Sequence, residues 1–521
     1  MFTKMLAATV AALAMAALPG MGNASDDAPY RIVKDPLELT IHMHFRNRYV
    51  YDENWPVAQE ATRLTGIKLK NVASLATTNS NEAFNLLMAS GNLPDIVGGS
   101  EVERSLKDEF NRYGMEGAFI PLDDLIDKYA PNIKKFFDEH PILRKAISGP
   151  DKKLYYIPYL PDGKYARGWH IRQDWLDKLG LKTPETVDEL HAVLEAFRDR
   201  DPNGNGKQDE VPLFMREDQE LMRLLVFWGG RSSGSDIPND FYVEDGKVMH
   251  GYAQPSYRVG MRNIAKWYAE GLLDKEHYTR KGKARDFLLG NDLGGVTHDW
   301  FASTGSYNDS LKDKIPGFHI VAFPPVANVD GKRIEENRRI PVKPSGWAIT
   351  SVNEHPEETI KYFDFFFTEL GKRLSNFGVE GVHYDLVDGK AIYKPEILNA
   401  KRPVNAQMYD IGAQIPIGFP QDYAYEVQWT NKYALEGIAL YDKGDYLIDQ
   451  FLGVSMTPKE RDVFDQYWPS ILAFMLEMQQ AWVLGSRNVD DDWDSYMGRL
   501  EKLNYPKVVE VMQTAYDRQY K

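Results

Sequence analysis

The chain has 521 residues, 43% of them hydrophobic and 12% aromatic, which is too long for one ordinary core and too apolar for a disordered chain. A formal net charge of −14 argues against a duplex nucleic-acid partner. The absence of cysteine excludes disulfides, thiolate metal sites, cysteine nucleophiles and a lipid-bearing N-terminal cysteine.

Taken in order, Met1 to Lys4 carry one positive charge, Met5 to Leu18 form an apolar run, and small residues follow at Gly22 and Ala24. This reads as a secretory signal peptide over residues 1–24, with the mature protein exported to the periplasm of a Gram-negative cell. The run is short for a membrane span, and no later stretch is long and apolar enough to be one.

Leu37 to His44 alternates as a strand, Trp55 to Leu64 has helical spacing with Gly66 as its stop, and Ile67 to Val72 is a second strand. Asn81 to Met88 is a second helix closed by Gly91, and Pro94 to Gly99 a third strand. Strand, helix, strand, helix, strand implies right-handed crossovers and a parallel sheet whose carboxyl ends receive ligand. His42 and His44 share a strand face, as metal ligands can, but no third donor is near, so they read as structural histidines.

Leu122 to Phe137 is expected to be helical, Lys153 to Tyr159 and Trp169 to Arg172 to be strands, and Asp174 to Leu181 a helix. Thr186 with Glu189 makes a capping box for a helix running to Phe197. That helix feeds a stretch of alternating oxygens: Asp201, Asn203, Asn205, the Lys207 carbonyl, and Asp209 match positions 1, 3, 5, 7 and 9 of an EF-hand loop, with Gly206 at position 6. Position 12 is Pro212, so Glu210 is the substitute closing ligand, and three carboxylates would meet one ion. All-oxygen donors select calcium. Further helices fall at 259–270 and 357–369, short strands at 318–323 and 347–350, and a mostly helical, aromatic-rich stretch at 462–519. Lys332, Arg333, Arg338, Arg339 and Lys343 form a basic cluster that reads as a solvated loop. No linker separates two domains, which suggests a chain that crosses between lobes more than once.

Against this pattern, Tyr156-Ile157-Pro158, the run Ile171 to Leu179, the Asp201 to Glu210 loop and Gly378 to Tyr384 resemble the extracellular solute-binding proteins of ABC importers. Ile41 to Arg46, Asp52 to Ala58, Thr297 to Ser303 and Gln414 to Phe419 bring the likeness closer, to the periplasmic alginate-oligosaccharide-binding branch, and it spans essentially the whole mature chain. The resemblance implies two α/β lobes closing by hinge motion on a central cleft, placed at 25–158 with 342–400 and at 159–341 with 401–521. It implies a monomeric receptor that delivers acidic oligosaccharides such as alginate fragments to an ABC permease in the inner membrane, with calcium in the Asp201 to Glu210 loop. It implies Trp300 and Trp429 as stacking platforms, with Tyr159, Tyr425 and Arg48 as polar contacts. The sequence departs from that branch at Pro420, Val427 and Arg48, where the branch has Trp, Arg and Lys. A different class, a polysaccharide lyase using His298 or Tyr159 for proton transfer and Arg48 as neutraliser, needs the same residue types. A receptor for glycosaminoglycan fragments is a further alternative.

Overall fold

The computed structural model describes residues 29–99, 106–232 and 241–521; the leader read at 1–24 lies outside them. In chain order the strands are β1 (Leu37–Phe45), β2 (Tyr49–Val50), β3 (Ile67–Asn71), β4 (Ile96–Gly98), β5 (Ile157–Tyr159), β6 (Arg167–Arg172) and β7 (Val211–Phe214). There follow β8 (Phe241–Glu244), β9 (Lys247–His250), β10 (Gly294–Trp300), β11 (Ile320–Phe323), β12 (Lys343–Ile349), β13 (Tyr384–Val387) and β14 (Lys390–Tyr393).

One sheet runs β2-β1-β4-β12-β5, with β3 also paired to β1. As the strand and helix alternation predicts, β1 is parallel to both β3 and β4. The helices between them, Pro56–Thr65 and Ser80–Ser90, stop at Gly66 and Gly91, both left-handed with φ of 82° and 68°. The late strand β12 then adds antiparallel to β4 and to β5. Gly346 is needed there, because a Cβ would lie 1.9 Å from the Ile157 carbonyl oxygen. The second sheet runs β11-β6-β10-β7, with only β10 and β7 parallel.

Two large cores follow from this, with smaller clusters around Leu288 and Tyr441. The first is built around Ile41, Ile96, Tyr156 and Trp347, the second around Trp169, Leu194, Leu225, Trp267 and Trp482. The expected boundary at residue 400 differs from the packing: Val404, Met408, Ile415, Ile417, Phe419 and Tyr425 are buried in the first core, as is Tyr159. The reason is that 404–425 lies against the helix Glu369–Phe377, where the Gln414 N–H meets the Ser375 carbonyl and the Asp422 N–H the Asn376 side chain.

The chain passes between the cores at 160–165, 326–342 and 425–434, and the passages are laced together. Leu160 N–H donates to the Phe419 carbonyl, Gln421 N–H to Leu160, and Arg339 N–H to Lys164. Arg339 adds a pair to Glu426 at 2.8 Å with both side chains largely buried. The C-terminal helix Tyr505–Tyr520 also reaches across: Lys145 Nζ donates to the Tyr520 carbonyl at 2.8 Å, and Tyr520 packs against both cores.

Several local expectations shift for nameable reasons. The helix expected over 122–137 is two, Asp123–Tyr129 and Pro131–Glu139, because Pro131 has no N–H to continue the first. The helix expected at 357–369 breaks between Phe365 and Glu369, where Thr368 caps a new one. The Thr186 half of the capping box is present, at 3.2 Å to Glu189 N–H, but the Glu189 carboxylate accepts from Glu185 N–H rather than from Thr186. The basic cluster, expected to be a solvated loop, is exposed only at Lys332: Arg333 pairs with Glu185 and Arg339 with Glu426. His44 is a satisfied structural histidine, bonded to Ser80 Oγ at 2.9 Å and the Thr77 carbonyl at 2.8 Å. Burial, with His44 beside it, pushes His42 down to about 4.

Candidate functional site

Sheet polarity decides which ends of the two cores face each other. In the first sheet β1, β4 and β5 point the same way, so Arg46, Gly99 and Tyr159 emerge at one end, where antiparallel β12 begins with Lys343 opposite Tyr159. In the second, β7 and β10 end together, and antiparallel β6 begins there with Arg167 opposite Trp300. The passage 160–165 joins the end of β5 to the start of β6, so these two ends form opposing walls. Carboxyl ends of parallel strands are where open α/β sheets take ligands.

The first wall is mainly aromatic, with the cations Lys343 and Arg46 at its end. Tyr159 is buried, its ring 5.2 Å from Phe419 and its hydroxyl 3.4 Å from Gln414 Oε1, with Lys343 Nζ 5.6 Å from the ring centre. Tyr425 and Trp429 sit on consecutive turns, ring centres 5.9 Å apart. Burial, with Tyr159 nearby, pushes the Tyr425 phenol well above its ordinary range, so it acts as a neutral hydrogen-bonding group. The Trp429 indole nitrogen is buried and has no hydrogen-bond partner. Arg48 is exposed, its guanidinium 5.0 Å from the Tyr49 ring centre.

The second wall is charged beneath its aromatic face. Trp300 closes β10, and the Arg167 guanidinium covers one side of its ring at 4.4 Å. Arg167 pairs with Glu220, both buried. Against burial, which pushes the Glu220 carboxyl up, the Arg223, Arg167 and Arg216 guanidinium groups hold it down to about 2. Arg223 also meets His298 Nδ1 at 3.0 Å, His298 Nε2 meets Glu335 at 3.0 Å, and Arg285 pairs with Asp299 at 3.0 Å. His298 is 1% exposed with both ring nitrogens engaged, which removes it as a base reaching a substrate.

Thus Tyr159, Tyr425 and Trp429 come together on one wall, Trp300 stands on the other, and Arg48 lies outside at the exposed turn after β1. The walls are linked where Asn431, two residues past Trp429, caps a helix and donates to the Ala302 carbonyl, two residues past Trp300, at 2.7 Å. Missed from sequence were Arg167, Arg216, Glu220, Gln414 and Gln421. Gln421 Nε2 donates to Gln414 Oε1 at 3.1 Å beneath Tyr159, and only the register of β6 against β10 could have brought Arg167 to Trp300.

The Asp201 to Glu210 loop departs from expectation in detail. Asp201 takes φ 43°, and its carboxylate accepts the N–H groups of Gly204, Asn205 and Gly206 at 2.8–3.0 Å. Asp209 Oδ1 accepts from Asn205 at 3.0 Å and Asn203 at 3.4 Å. The expected three-carboxylate shell of Asp201, Asp209 and Glu210 is therefore not assembled, and among the described residues no three His, Asp or Glu groups are placed to hold a metal. The donor set still fits a hard cation: both Glu210 carboxylate oxygens are buried without a partner, and burial with Asp201 and Asp209 nearby pushes that carboxyl up.

Such a pair of α/β walls joined by a laced hinge defines a two-lobed solute receptor. Residues 55–373 match the family of bacterial extracellular solute-binding proteins, and the chain belongs to that family; it is a binding protein, not an enzyme. Among solved structures it is similar to alginate-binding protein AlgQ2 without calcium ion, at 52% identity over 94% of this chain and 99% of that one, TM-score 0.76. The fructooligosaccharide ABC transporter substrate-binding protein FusA of Streptococcus pneumoniae serotype 4 is 27% identical over 84% of this chain and 82% of its own length. The polygalacturonan/rhamnogalacturonan-binding protein YtcQ of Bacillus subtilis is 27% identical, covering 65% of each.

Proposed function

We propose that the protein is a periplasmic receptor for acidic oligosaccharides of the uronate type, such as alginate fragments. It works as a monomer and hands its ligand to an ABC permease in the inner membrane. The observation that carries the reading is the 52% identity with an alginate-binding protein over 99% of that protein's length. A relative that binds polygalacturonan, another uronate polymer, supports it. Within the cleft, Trp300 and Trp429 stack on pyranose faces, and the unbonded Trp429 indole N–H and the Tyr159 and Tyr425 hydroxyls meet sugar oxygens. Arg48 adds charge at the rim.

The first lobe ends near Leu160 and resumes at 342–425; the second takes 165–326 and 434 onward, following the packing. Asp201, Asn203, Asn205, the Lys207 carbonyl, Asp209 and Glu210 hold a structural calcium ion. The ion would satisfy the orphaned Glu210 oxygens and stiffen the turn, which Lys178 already braces through the Pro202 carbonyl at 2.7 Å. Calorimetric titration with defined mannuronate and guluronate oligosaccharides, and with fructooligosaccharides and glycosaminoglycan fragments of matched length, tests the reading. Saturable binding of the alginate fragments is expected. Binding of fructooligosaccharides with none of the alginate fragments overturns it.

A further inference from the structure

Resting on that reading, we infer that Arg216 recognises the uronate carboxylate of the sugar ring stacked on Trp300. The placement comes first. Arg216 lies two residues beyond β7, whose parallel partner β10 ends at Trp300, and the register sets Phe214 opposite Thr297. Arg216 therefore emerges beside Asp299 and Trp300 at the cleft end of the sheet. Its Nη1 is 3.9 Å from Asp299 Oδ1, the atom that accepts the Trp300 N–H at 2.7 Å.

The second argument is how the charges are distributed. The guanidinium groups around Trp300 are Arg167, Arg216, Arg223 and Arg285, facing the carboxylates of Glu217, Glu220, Asp299 and Glu335. The other three arginines are committed. Arg167 is pinned between Glu220 and the Trp300 ring, Arg223 donates to His298, and Arg285 holds Asp299 and Ser303 Oγ at 3.0 and 2.6 Å. Arg216 donates its backbone N–H to Glu220 at 3.0 Å and its guanidinium acts on that carboxylate through space, but its ion pairs with Asp299 at 3.9 Å and Glu217 at 4.0 Å are both outside hydrogen-bond range, and its Nε, like that of Arg285, is buried with no acceptor. A buried donor without an acceptor is costly, and a carboxylate matches two donors of a guanidinium fork at once. Side-chain exposure of 20% leaves Arg216 reachable, yet dry enough for the contact to resist salt better than the exposed Arg48 can.

The pairing selects uronates over neutral sugars of the same linkage, so the probe is a short mannuronate oligosaccharide beside its carboxyl-reduced mannose counterpart. Titrated calorimetrically, Arg216→Gln is expected to weaken the acidic probe by about tenfold or more and the neutral one by less than about twofold. Arg216→Lys keeps the charge without the fork and should recover part of the loss. It also decides the matter should the Gln variant fail to fold. Acidic binding equal to the parent in both variants, with Trp300→Ala still impaired, overturns the role of Arg216 while leaving the receptor reading intact. Equal losses for both probes make Arg216 a structural residue and also overturn the inference. A parent that binds neither probe overturns the receptor reading and the inference together.

Discussion

The two walls of the proposed cleft are built from different materials. The first presents Tyr159, Tyr425 and Trp429, with a 3.4 Å contact from the Tyr159 hydroxyl to Gln414 and a buried Trp429 indole N–H that has no hydrogen-bond partner. The second presents Trp300 on a buried lattice of arginines and carboxylates in which Glu220 is fixed by three guanidinium groups. On the proposed reading the difference separates hydrogen bonding by neutral side chains, which suits many sugar hydroxyl patterns, from charge that is set in place before the ligand arrives.

The contrast can be broken most severely at Glu220. Glu220→Gln leaves Arg167 buried without its partner, and removing one member of a buried pair costs about 3–5 kcal/mol, so urea denaturation should show a large drop in stability with loss of sugar affinity. The same carboxyl gives a pH signature. Its folded value of about 2 lies below its ordinary 4.5, so its contribution is complete above about 4.5 and is lost as pH falls through 2; the Gln variant should lack that acid dependence. Next in size, Trp300→Ala and Trp429→Ala should each weaken binding by about 1–3 kcal/mol with little response to salt, measured by titration at two ionic strengths. The proposed calcium loop lies on neither wall: chelation or Asp209→Ala should lower the melting temperature by a few degrees while leaving ligand stoichiometry unchanged, and identical melts with and without chelator would remove the ion from the account. Tyr159→Phe should cost only about 0.5–1.5 kcal/mol of affinity. Smallest of all, Arg48→Ala should cost less than about 1 kcal/mol and fade in high salt, because the side chain is exposed.

Local pattern was readable where it depends on near neighbours. The β1, β3 and β4 strands and their glycine-stopped helices stand where alternation and 3.6-residue spacing predict. Pairings between distant segments were not. Nothing near Lys343 announces that β12 will enter the first sheet, nor does 404–425 signal which core it joins; both are decided by which face finds complementary packing. The aromatic residues of the cleft came from family likeness, since a tryptophan alone is more often core. The arginine lattice was invisible because its members come from a strand (Arg167), the segment after β7 (Arg216) and two helices (Arg223 and Arg285) that only tertiary packing brings together. The candidate cation loop was legible as donor spacing, but backbone N–H groups bond to the Asp201 oxygens, which spacing does not reveal.

The interleaved cores also fix a timetable for synthesis. The first core needs strands from both ends of a span running from Leu39 to Tyr425, so it cannot close while the ribosome has made only its opening 160 residues. The second begins at Trp169 and is finished by Met512 and Ala515 on the last helix. Both halves therefore mature only once most of the chain is available, and truncating the gene between them should yield two insoluble fragments rather than two domains.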